Sequence, residues 1–158
     1  MTAASSGPHR LTIRYLDHHG GAEVELVAAG VTLRAAAEYE PSRPRIVPGV
    51  YRLAYTPGLH RGRPALVQQG ATGVALTDGR PPHYYGFHLH DRPTPTSALH
   101  GCIAPPIEWI TSALALLSSI TDRDPGRRWS PGVSGAGVWT HPELYGMMLD
   151  TEVVDARA

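Results

Sequence analysis

Apolar and polar residues alternate along most of the first half of the chain, which is the pattern of strands that bury one face. Arg10 to Leu16 reads as a first strand, with Glu23 to Val27 and Val31 to Tyr39 as the next two. His18-His19 with Gly20-Gly21 makes a turn signal between the first pair, so those histidines belong to a surface turn. Arg43 to Arg45 is a proline-punctuated connector. Val50 to Tyr55 is a strand that should stop at Thr56-Pro57-Gly58, a turn signal, and His60-Arg61-Gly62-Arg63 reads as a solvated loop. Ala65 to Gln69 and Gly73 to Thr77 are short strands, Asp78-Gly79 is a hairpin-type turn, and Tyr84 to His90 is a strand running up to a break at Pro93 and Pro95.

The period changes after Pro106. Ile107, Ile110, Leu114 and Leu117 recur at helical spacing and predict one helix from Pro106 to about Ile120, with proline at its start and Trp109 widening the apolar stripe as a core residue. Asp122 to Arg128 is a charged turn and Ser130 to Gly137 a Gly/Ser/Pro connector. Val138-Trp139 and Leu144 to Val154 return to strand character. Short strands separated by frequent turn signals, with one helix, predict a mainly β domain with that helix packed on the sheet.

Composition fits this picture. The chain has 158 residues, 42% hydrophobic and 18% charged, which describes a single folded domain spanning 1-158 with a true core. The formal net charge is zero, so there is no basic footprint for nucleic acid or an anionic membrane. Met1 to Pro8 lacks the apolar stretch of a secretory signal, and nowhere do enough apolar residues run together to span a membrane.

Candidate chemistry concentrates at the only cysteine, Cys102, with His88, His90 and His100 all within fourteen residues upstream. A lone thiol closes no intramolecular disulfide; most often it is a small buried hydrophobe, but with histidines in reach it is a candidate nucleophile. Period two puts His88 and His90 on one strand face and Phe87 and Leu89 on the other. Gly101 permits a tight turn before Cys102, and the helix start behind it favours a thiolate. A histidine in hydrogen-bond reach takes the thiol proton and later protonates a departing amine. Backbone N–H groups of His100, Gly101 and Cys102 suit an oxyanion. These parts specify acyl transfer through a thioester, with His100 orienting the base or lining the pocket.

His100-Gly101-Cys102-Ile103 resembles the Ser-His-Gly-Cys-Ile-Arg signature of the L,D-transpeptidase (YkuD-type) catalytic domain. Gly86-Phe87-His88-Leu89-His90 is similar to the Gly-Phe-Phe-Ile-His strand of the small variants in type VI secretion effectors and phages. Pro44 to Leu53 looks like their strand entering through Pro-x-Gly-Thr-Tyr. The resemblance covers Pro44 to Ile120 (44-120) and implies an L,D-transpeptidase-like β-sandwich, with the main helix following the catalytic cysteine. It implies cysteine-dependent acyl transfer on peptidoglycan stem peptides, as transpeptidase or carboxypeptidase, without a cofactor. His90 matches the family's histidine by its Gly-Phe-x-x-His context and is the expected base, although His88, fourteen positions before Cys102, fits the family spacing better than His90 at twelve. Leu99 stands where the family has Ser or Thr, with Ser97 close by. Ala104 stands where it has Arg, a role Arg92 takes as a stand-in. Tyr85, His88, Arg92 and Ser97 form the expected substrate-facing set. The resemblance further implies action in the periplasm or cell wall after synthesis in the cytoplasm and delivery by another route, with an immunity or delivery protein as partner.

Two other readings use the same residues. His88, His90, Asp91, His100 and Cys102 offer enough donors for a zinc-binding hydrolase. Leu99 and Ala104 suit a non-enzymatic cell-wall-binding, phage or effector module with a degenerate site.

Overall fold

A computed structural model describes residues 9–60, 62–69, 74–79, 88–92, 103–123 and 147–157. In chain order these form β1 (Arg10–Tyr15), β2 (Gly21–Ala28), β3 (Val31–Glu38), β4 (Gly49–His60), β5 (Arg63–Gln69), β6 (His88–His90), α1 (Ile107–Arg123) and β7 (Met147–Asp155). The protein is mainly β, and all seven strands belong to one sheet in the order β3-β2-β1-β7-β4-β5-β6. Neighbours are antiparallel except β1 and β7, which run parallel in register from Arg10↔Asp150 to Tyr15↔Asp155.

The sheet curls until its ends meet. Ile103 forms a parallel bridge with Leu89 of β6, and Ala104 an antiparallel one with Glu38 of β3. Ala104 donates to Glu38 O at 2.9 Å, Glu38 to Ala104 O at 3.0 Å, and His90 to Ile103 O at 3.3 Å. A two-residue segment therefore bridges the two edges of the sheet, bonding backbone groups of Glu38 and His90. The two faces expected of a sandwich come from one continuous curled sheet.

Period-two alternation decides which side chains line the interior. Leu11, Ile13 and Tyr15 of β1, Val24 and Leu26 of β2, Leu53 and Tyr55 of β4, Leu66, Leu89 and Leu149 are all buried in one cluster. Helix α1 packs on β2, β3, β5 and β6. Its buried stripe is Ile110, Ala113, Leu117 and Ile120, rotated from the expected one so that Ile107 and Leu114 are only partly buried. Trp109 is core, as expected, and its Nε1–H donates to Leu33 O at 3.1 Å, tying the helix to β3.

Several boundaries differ from expectation for physical reasons. β4 runs on through Thr56-Pro57-Gly58, pairing Pro57 with Leu66 and Gly58 with Ala65. The last described pair of its ladder with β7 is Tyr55↔Met147, and among the described residues pairing with β5 alone carries the strand on through the proline. Arg63 opens β5 instead of lying in a solvated loop, and α1 continues past Ile120 to Arg123. Of the expected strand Gly73 to Thr77 the described part forms a bridge, Ile46↔Leu76, closed by Gly79, whose φ is +80°. The turn before β2 is as expected: Asp17 Oδ1 accepts from His19 N and Gly21 N at 2.7 and 3.0 Å. A Cβ on Gly21 would lie 2.3 Å from Asp17 Oδ2, so a larger residue would have to displace the carboxylate that caps the turn. Tyr84 to Phe87, Pro93 to Cys102, Asp124 to Gly137, Val138-Trp139 and Leu144 to Gly146 lie outside the described residues.

Candidate active site

The described half of the candidate site lies where β5, β6 and the closing segment Ile103–Ala104 meet. Leu89 points into the core, so His90 points to the opposite face of β6, and it is only 2% exposed there. Its Nδ1 lies 2.8 Å from the Asp91 carbonyl oxygen. A carbonyl only accepts, so Nδ1 carries the hydrogen and the lone pair of the neutral ring sits on Nε2. His90 thus has the tautomer of a base acting through Nε2.

The reason that carbonyl serves the ring is a proline. His90 N–H is turned toward Ile103, so Leu89 and Leu66 form the hydrogen-bonded pair with β5. Ala65↔His90 makes Pro64 the residue opposite Asp91, and Pro64 has no N–H to give to the Asp91 carbonyl. The Asp91 carboxylate, also buried, is held by Arg63: Nε lies 2.9 Å from both oxygens and Nη2 2.5 Å from Oδ2. Hydrogen bonds from Arg63 hold the Asp91 carboxyl below its ordinary range against the opposing effect of burial.

Arg92 runs the other way, to Glu38 at 3.3 Å and Glu40 at 3.6 Å. Together with Glu38, Asp91, Ala104, Pro106 and Ile107 it lines a concavity of about 340 Å³. A second, of about 540 Å³, lies on its other side against Asp17, His19, Tyr39 and Glu40. Ala104, at the position of the family's arginine, and Arg92 therefore border one concavity.

Of the residues expected from the sequence, the described residues bring together His90, Arg92 and the segment starting at Ile103, the residue after Cys102. The backbone of His88 pairs with Val67 in β6, while its side chain lies outside the description. Cys102, His100, Gly101, Tyr85 and Ser97 lie outside the described residues. Among the described residues no three of His, Cys, Asp and Glu gather to hold a metal ion, and His100 and Cys102 of the zinc alternative lie outside them. The Arg63–Asp91 pair went unread in the sequence, because only the register of β5 on β6 brings the two residues together.

Comparison of the chain with family models, curated proteins and solved structures gave no match. No described helix is long and apolar enough to cross a membrane.

Proposed function

We propose that the protein is a cysteine-dependent acyltransferase of the L,D-transpeptidase type, acting on peptidoglycan stem peptides. The observation that carries this reading is the parallel pairing of Ile103 with Leu89 of β6: the chain neighbour of Cys102 lies beside the residue that separates His88 from His90, and His90 is buried with the lone pair on Nε2. The helix that begins directly behind this segment, and the mainly β architecture around it, suit the same family.

In this mechanism Nε2 of His90 takes the proton of the Cys102 thiol, and the thiolate attacks a stem-peptide carbonyl. The oxyanion is met by backbone N–H groups of His100, Gly101 and Cys102. The intermediate collapses to a thioester as the imidazolium gives its proton to the leaving amine. An acceptor amine or water then attacks the thioester, loses its proton to His90 and returns the thiol. Arg92 borders the concavity where the family's arginine is replaced by Ala104, and supplies the cation for a substrate carboxylate once Glu38 and Glu40 yield it. His88, Tyr85 and Ser97 complete the substrate side.

Incubation with purified muropeptides, followed by mass spectrometry, tests the reading. Loss of a terminal residue or formation of a crosslink is expected, and both should vanish in Cys102→Ser. Unchanged peptides with a folded protein would favour the non-enzymatic module, to which the engagement of Arg92 by two carboxylates also lends support.

A further inference from the structure

We infer that Arg63 is a positioning residue for the candidate base, fixing the tautomer and direction of the His90 ring by clamping Asp91 from the neighbouring strand. The inference rests on the acyl-transfer reading for its catalytic meaning, but the geometry that carries it does not.

Asp91 is the first residue after β6, and the sheet gives its carbonyl no partner from β5, because Pro64 stands opposite. A residue just beyond a strand end is ordinarily loose. Here the carbonyl must nevertheless be held still, since the Nδ1–H bond to its oxygen sets the direction of the His90 ring. What holds it is the carboxylate of the same residue. Arg63 makes three contacts of 2.5 to 2.9 Å to the two Asp91 oxygens, and a forked guanidinium fixes a carboxylate in rotation as well as in position. Arg63 opens β5, so its backbone is anchored in the ladder two residues from Ala65, which pairs with His90. The clamp and the ring it serves are thus referenced to one pair of strands. The depressed carboxyl of Asp91 agrees with an ionised pair that joins a buried carboxylate to an exposed guanidinium.

The experiment reads the ring directly. Long-range proton–nitrogen spectra of the full chain report which imidazole nitrogen is protonated, with the His90 signals assigned by their loss in His90→Gln. The unaltered protein should show His90 as the Nδ1–H form. Arg63→Ala should convert it to a mixture with the Nε2–H form, and Arg63→Lys, which keeps the charge without the fork, should fall between. Amide spectra establish that each variant is folded. Should Arg63→Ala fail to fold, Arg63→Gln, which keeps much of the stem and an N–H donor, carries the same reading. A folded Arg63→Ala or Arg63→Gln that keeps a pure Nδ1–H tautomer overturns the inference. Muropeptide turnover, if present, should fall on the order of a hundredfold in Arg63→Ala, the usual effect of a reacting group displaced by about 1 Å. A normal tautomer response without any turnover in the unaltered protein would sink the acyl-transfer reading and leave the positioning role standing.

Discussion

A buried imidazole serves as a base only if its lone pair is directed at the proton to be taken, and in His90 the Asp91 carbonyl settles which nitrogen that is. His90→Ala is therefore expected to abolish acyl transfer and to raise the pKa of the Cys102 thiol, while His88→Ala mainly lowers stability. Thiol labelling at graded pH separates the two, and a reactive thiolate lost only in His88→Ala would reverse the assignment. That His90 ends its strand was legible, because a proline break follows it. Its support was not, because the Arg63–Asp91 pair exists only through the register of β5 on β6, which no local pattern specifies. A second residue-scale prediction concerns Tyr15, whose hydroxyl accepts from Ile46 N at 3.0 Å and is pushed up to about 12 by burial. The folded value lies above that of an unfolded tyrosine, so the stabilisation is complete below pH of about 10 and is lost as pH rises toward the folded value. Urea midpoints should fall across that window, and Tyr15→Phe should reduce the slope by up to about 1.4 kcal/mol per pH unit. A slope unchanged by the substitution would show that another group, such as the fully buried Tyr55, governs alkaline unfolding.

Between elements, the helix is attached to the sheet by a polar contact as well as by its apolar stripe. Trp109→Phe keeps most of the buried ring but removes the Nε1–H that reaches Leu33 O. The loss expected is about 0.5–1.5 kcal/mol, the net worth of a hydrogen bond at a part-buried site, measured by urea denaturation. Thiol reactivity should stay as it was, and equal stability of the two proteins would mean that the bond contributes nothing. The existence of this helix and of β1, β2 and β3 was legible because each obeys a single period along its length. The strand at Val50 to Tyr55 was legible too, but its continuation was not, since Thr56-Pro57-Gly58 is locally a turn and becomes strand only because β5 pairs with it. The rotated stripe of α1 has the same origin: Ala113 is buried by the strands above it, and a small residue sends no signal of its own.

At the scale of the whole molecule the segment next to Cys102 is also the piece that closes the sheet, so site and fold depend on the same few hydrogen bonds. Among the described residues Ile103 and Ala104 receive or give the backbone bonds that link β6 to β3, and nothing in their composition separates them from an ordinary connector before a helix. That is why closure was invisible in the sequence, whereas the mainly β class was plain. Ala104→Pro removes the N–H that donates to Glu38 O and adds a ring at a position that is 5% exposed. The closure should then open more often than the rest of the sheet, which native-state hydrogen exchange resolves amide by amide. Exchange at Glu38 and His90, whose amides bond to Ala104 O and Ile103 O, should accelerate, while Ile13 and Val24 in the interior of the sheet keep their protection. Acyl transfer should fall with it, because the anchor of the nucleophile's segment is loosened while the imidazole itself is untouched. Unaltered protection at both Glu38 and His90 would mean that this pair of residues does not hold the ring closed, and that β3 and β6 are kept together by the helix packed across them.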